Sequence, residues 1–368
     1  MTGRHLIAIL LAGCCCAGAQ AQSGITAYGT LAVALRNFTH VDSAGSSRTE
    51  LGGTSLGSGI WGLRGIERID ADLTLRFRLE GGYFLDTGAQ RNNGVLGRET
   101  SVGADTPFGK LDLGRLQLVG NAAEPLVRAD PLRGAGMTET AWPGIWTGAR
   151  FDNALRYRLD AGPAYATYMV ALDETGGRTT CLVAGYLGGS VTLAAAGQSA
   201  HDAAGHASNA TDIGVAWTLG ATTLHGAVMH ATRDKDFLIG ATPGAVLFNT
   251  DMGLAGVKAP AWQDVMFYLA GVSATLAPGW RLRSAVFLAT NRDATLLSAK
   301  RGGTQRTAYG LLSYDLSRRT SLLAAMDYNR WSGGWSGFWG ASTASLAAQA
   351  PDGRDTRRSA SLGILHTY

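Results

Sequence analysis

The sequence predicts an all-β fold, a transmembrane antiparallel β-barrel of about sixteen strands with short periplasmic turns and long external loops. Three observations predict it. Apolar and polar residues alternate with a period of two along most of the chain. In the clearest stretch Leu73, Leu75, Phe77 and Leu79 share one parity, and Thr74, Arg76, Arg78 and Glu80 the other. The joints between such segments alternate between short turns and long loops, an asymmetry that a barrel crossing a membrane requires and a soluble sandwich does not. Beyond the leader no run of about eighteen apolar residues occurs, so no membrane helix is expected, whereas barrel strands of about ten half-apolar residues suffice to cross.

Taken in order, the alternating segments are 24–38, 60–67, 73–83, 96–104, 110–118, 152–159, 164–172 and 179–187 in the first half. The second half contributes 191–198, 209–219, 222–232, 263–276, 280–290, 305–316, 320–330 and 356–368. Turn chemistry separates the close pairs, such as Asp105-Thr106-Pro107-Phe108-Gly109 and Ala277-Pro278-Gly279. The longest early connection is 119–151. With 51 Gly, only 9 Pro and 16% charged residues, the composition suits ordered strands and not a disordered chain. A balance of 32 basic against 28 acidic side chains gives a formal charge of +4, too small to argue for nucleic acid.

Residues 1–21 read as a signal peptide: Arg4 and His5, the apolar run Leu6 to Leu11, then small residues ending in Ala19-Gln20-Ala21. The barrel domain is then 22–368. Leu11-Ala12-Gly13-Cys14 also matches a lipoprotein cleavage pattern, which would leave a lipidated Cys14; the two readings stand side by side. With cleavage after Ala21 only Cys181 survives, so no internal disulfide and no thiolate metal site is expected.

The apolar parity is assigned to lipid and the polar parity to a wet lumen. Inward arginines on separate strands need water, because a charge on the lipid face near the midplane costs about 2–4 kcal/mol. Arg36, Arg64, Arg76, Arg78, Arg156 and Arg158 therefore form a candidate basic wall. Strict alternation puts Arg115 with Leu111 and Leu113 on the lipid side unless a bulge at Gly114 re-aims it. The inward set leans basic, which predicts a modest anion preference. Tyr28, Tyr83, Trp217, Trp262, Trp280, Tyr309, Tyr328 and Trp331 are read as interfacial girdles.

No catalytic, metal or cofactor-binding residue is expected. Gly53-Thr54-Ser55-Leu56-Gly57 matches the spacing of a nucleophile elbow, but that mechanism needs a strand before the serine and a helix after it. Here a Ser/Gly loop precedes and a strand follows. The histidines are scattered and lack further ligands.

The blocks IWGLRGIERIDADLTLRFRLEGGYFLDTGA, GRETSVGADTPFGKLDLGR and FDNALRYRLD, with the ending SLGILHTY, resemble the trimeric sixteen-stranded general diffusion porins of Gram-negative bacteria. The resemblance implies an outer-membrane homotrimer surrounded by lipid, passing small hydrophilic solutes and ions without covalent chemistry. It implies that loop 119–151 folds inward as a constriction, with Glu124, Asp130 and Glu139 facing the arginine wall, and it favours a pore-facing Arg115. It also implies that Ile364, His366 and Tyr368 form the signal read by the barrel-assembly machinery. A substrate-selective channel and an adhesin or structural barrel with a plugged lumen are the alternative functions.

Overall fold

The structure, a computed structural model, describes residues 24–41, 44–54, 56–57, 59–91, 94–117, 122–134, 144–172, 174, 176–239, 257–258, 263–291, 302–333 and 355–368. Sixteen long strands form one closed antiparallel barrel. They are β1 (Gly24–Phe38), β2 (Gly59–Arg68), β3 (Thr74–Tyr83), β4 (Glu99–Thr106), β5 (Gly109–Gln117), β6 (Arg150–Ala161), β7 (Ala164–Leu172) and β8 (Arg178–Leu187). The circle continues with β9 (Val191–His201), β10 (Ala207–Leu219), β11 (Thr222–Arg233), β12 (Gln263–Ala277), β13 (Trp280–Asn291), β14 (Gly303–Asp315), β15 (Thr320–Gly333) and β16 (Thr356–Thr367). β1 pairs with β2 on one edge and with β16 on the other, from Thr30↔Thr367 to Phe38↔Ser359, so no edge strand remains open.

The expected segments coincide with these strands, shifted by no more than a few residues at their ends. One end of the barrel carries only tight turns. At the other end most joints are long, but 173–177 and 202–206 are short too, so the loop-length asymmetry rests on the remaining connections. A short strand, Arg48–Gly52, extends β2 alongside the upper half of β1.

Parity behaves as alternation requires. On β1 the side chains of Ile25, Leu31 and Leu35 are exposed outward, while Ala32, Ala34, Arg36 and Phe38 are buried inward. The girdle assignment needs correction. Tyr28 donates to Glu80 on the inner face (2.8 Å), Tyr309 donates to Asp130 inside the barrel, and Trp331 is buried. All three sit on the inward parity of their strands. Trp217, Trp280 and Tyr328 are exposed outward, and Trp262 lies outside the described residues.

The interior is not wet all round. Two short helices, α1 (Glu124–Ala129) and α2 (Gly144–Thr147), lie in the loop between β5 and β6 and pack on β9–β11 from within. Under them Met169, Val183, Met229, Phe267 and Leu311 project inward and are fully buried. These strands carry large apolar side chains on their inner face, between buried polar ones such as Thr167, Thr179 and Gln263, because that face meets protein and not water.

Candidate functional site

The lumen has two unlike walls. One is the charged inner face of β2–β6. Arg76 of β3 pairs with Asp112 of β5 (2.8 Å) and Asp105 of β4 (3.1 Å), and Arg156 of β6 takes the other oxygen of Asp112 (2.8 Å). Arg78 pairs with Glu99 (3.2 Å), and Arg98 joins Glu80 (2.6 Å) to Gln117. Nearer the turns Asp160 receives Lys110 (3.1 Å) and Arg158 (2.8 Å). Cross-strand neighbours on one face of a sheet stand about 5 Å apart, which is why opposite charges on adjacent strands meet here.

These groups line a recess of about 460 Å³ that includes Arg64, Arg76, Arg78 and Arg156 together with Glu99, Ser101 and Asp112. Arg64 differs from its neighbours. It is exposed, its guanidinium lies 5.5 Å from the Tyr28 ring, and it pairs with no carboxylate among the described residues.

The other wall is the loop. Its backbone is held by side chains of the strands beneath it. The Ala122 N–H donates to Gln198 (3.2 Å), Gln198 donates in turn to the Thr147 carbonyl (2.8 Å), and the Leu126 N–H donates to Asp212 of β10 (2.7 Å). Asp212 thus satisfies one of the amides left open in the first turn of α1, whose own N-cap, Ala123, supplies no side-chain bond. Two glycines make the approach feasible. A Cβ at Gly214 would collide with the Pro125 carbonyl, and one at Gly271 would crowd Pro131. Trp146 of α2 is buried edge-on against Phe267, with ring centroids 5.4 Å apart.

The loop acids turn away from the arginine wall. Glu124 is only 3% exposed, accepting from Tyr165 of β7 (2.9 Å) and pairing with Arg128 (2.6 Å). Asp130 is 4% exposed and accepts from Tyr309 and from the N–H groups of Leu132 and Gly134. Burial pushes the Asp130 carboxyl up, against the lowering effect of those three donors. The expected confrontation of loop acids with the wall is therefore not what these two residues make: each is used to fasten the loop to the barrel. Glu139 lies outside the described residues. What the described loop offers to the lumen is basic, the exposed Arg133 and the half-buried Arg128. Arg158 and Arg128 both lie over the Tyr165 ring, at 4.0 and 5.5 Å, so wall and loop meet there.

Of the expected basic wall, Arg64, Arg76, Arg78 and Arg156 come together, with Arg158 one turn-ward step along β6. Two others lie elsewhere. Arg36 is 4% exposed, with its guanidinium over Phe38 (4.7 Å). The register does shift between Gly114 and Leu116, but Arg115 bonds the Gly97 carbonyl (2.9 Å) and Asp152 (2.6 Å) and does not line the recess. Tyr368 closes the last strand by exchanging backbone hydrogen bonds with Gly29, and His366 bonds Thr320 (2.9 Å). Reading the sequence for arginines passed over Asp105 and Asp112, although both have inward parity, and over Asp212, whose signal is a carboxylate set among small inward residues on β10.

A closed barrel with lipid-facing apolar residues, a charged lumen and an inward loop defines a diffusion channel of the outer membrane. The chain belongs to the Gram-negative porin family, whose model matches residues 7–334. Among solved structures it is similar to the anion-selective porin from Comamonas acidovorans, with a TM-score of 0.73 at 19% identity, covering 94% of this chain and 100% of that one. It is also similar to OmpT of Vibrio cholerae in its trimer form (TM-score 0.66, 14% identity, 94% and 99% covered). A further likeness is to OmpF of Salmonella typhi (TM-score 0.58, 14% identity, 94% and 97% covered). No curated protein matches the sequence.

Proposed function

We propose that this porin passes small hydrophilic solutes and ions with a modest preference for anions, works as a homotrimer, and uses neither cofactor nor covalent chemistry. The observation that carries the preference is the asymmetry of neutralisation in the lumen. Every carboxylate named on the β3–β6 wall is engaged by an arginine or lysine, whereas Arg64 and Arg133 have no carboxylate among the described residues. A permeating anion meets these cations in the lumen, where charges fixed on a protein wall act more strongly than in bulk water. The likeness to a porin that is itself anion-selective agrees with this reading. Likeness to a trimeric relative supports the homotrimer.

Ile364 and His366 on the outward parity of β16, with Tyr368 just after it, are the residues proposed for recognition by the barrel-assembly machinery. The channel is tested by reconstitution into planar bilayers under a salt gradient. Stepwise conductance with a reversal potential on the anion side supports the reading. A marked cation preference would overturn the selectivity, and absence of conductance steps would overturn the channel.

A further inference from the structure

The outer wall of the barrel carries a feature the channel does not use. At the long-loop end of β14–β16 three arginines point outward: Arg306, Arg330 and Arg358 are all exposed, on the same parity as the lipid-facing Ala308, Tyr328 and Leu362. Arg306 and Arg330 stand directly opposite each other across β14 and β15. Arg358 lies opposite Tyr328, with its guanidinium 5.8 Å from that ring. No carboxylate pairs with any of the three among the described residues. Like charges directly opposite on a sheet repel, and a charge on a lipid-facing wall is tolerated only near the membrane surface, so this row suits an anion that the described residues do not supply.

An apolar groove begins where the arginines end. It has a volume of about 380 Å³ and is floored by Ala270 and Ala308 between the larger Tyr268, Val286, Leu288 and Tyr328, with Arg306 at its long-loop end. The register explains the shape. Leu288, Arg306 and Arg330 form one row across the sheet, and Val286, Ala308, Tyr328 and Arg358 the next row towards the turns. Small residues in the lower row leave a channel wide enough for an acyl chain, and the guanidinium groups stand above its mouth.

We propose that this face binds a phosphate-bearing lipid of the outer leaflet, with its phosphate on Arg306 and Arg330 and an acyl chain in the Ala270–Ala308 groove. Arginine suits the task because its planar fork takes two phosphate oxygens at once, and each basic residue near a membrane surface adds to the retention of anionic lipid. Arg358, held by the Tyr328 ring, is placed to take a second anionic group of the same headgroup. The inference rests on the membrane placement of the barrel and not on its ion selectivity.

The test is native mass spectrometry of the purified porin, released from nanodiscs containing a zwitterionic lipid with either diphosphorylated or dephosphorylated lipid A. The wild type is expected to retain the diphosphorylated form about tenfold better, and Arg306→Gln/Arg330→Gln to lose that advantage while keeping its conductance. Ala308→Trp, which fills the groove and leaves the arginines in place, should also reduce retention. Millimolar inorganic phosphate should not displace the lipid. Equal retention by wild type and double variant, or indifference to the phosphates, would overturn the proposal. So would dissociation of the oligomer in the double variant, because the face would then be an interface between copies of the chain.

Discussion

Asp212 gives the sharpest test of how the inward loop is held. Its carboxylate is 5% exposed and accepts the Leu126 N–H at 2.7 Å, so Asp212→Ala removes the acceptor and leaves a buried amide of α1 without its partner. A lost bond of this kind costs about 1–3 kcal/mol, which multiplies the population of undocked loop by roughly 5–150. The other anchors, through Gln198, Tyr165 and Tyr309, remain, so the barrel itself should fold normally. In single-channel recordings the variant should show more open-channel noise and more frequent conductance substates than the wild type, with Asp212→Asn in between because it keeps one acceptor oxygen. If Asp212→Ala, folded as judged by its heat-modifiable gel mobility, gave traces indistinguishable from wild type, the carboxylate would not be what holds the loop.

Gly214→Val should act more severely than Asp212→Ala, since its side chain would occupy the space of the Pro125 carbonyl; a larger mean conductance or faster protease cleavage of the loop would show it. Trp146→Ala removes a fully buried ring from the α2 anchor, at a cost of about 3–5 kcal/mol, and should expose the loop to limited proteolysis while the strands keep their circular dichroism. Arg64→Gln and Arg133→Gln should each move the reversal potential towards cations. Arg76→Ala should do the same, because it uncovers Asp105 and half of the Asp112 pairing.

The barrel was legible because alternation is local: each strand states its own two faces, and Leu155, Tyr157 and Leu159 against Arg156 and Arg158 need no partner to be read. The loop was not, because burial of its acids depends on partners far along the chain. Tyr165 is 41 residues from Glu124, Tyr309 is 179 from Asp130, and Asp212 is 86 from Leu126. A carboxylate in a loop looks the same in sequence whether it meets water or a tyrosine. The small residues of the later strands did carry a signal. Gly214 and Gly271 look like weak strand positions in isolation, and in the barrel they are where another backbone comes close.

Asp130 links the same loop to pH. Its carboxyl is pushed above its ordinary value by burial, so the docked loop disfavours the ionised form even though Tyr309 and two N–H groups donate to it. For a carboxyl raised in the folded state the sign is opposite to that of an exposed ion-paired acid. Its contribution to docking is greatest where both states are protonated, below the ordinary carboxylate pKa of about 4, and it is lost as pH rises from there through the raised value. Open-channel noise of the wild type should therefore grow as pH rises through that window and level off above it. Asp130→Asn, which cannot ionise, should flatten this dependence, and Tyr309→Phe should steepen it by removing a donor that favours the ionised form. A flat profile in the wild type, or an unchanged slope in Asp130→Asn, would mean that some other group sets the pH response of the loop.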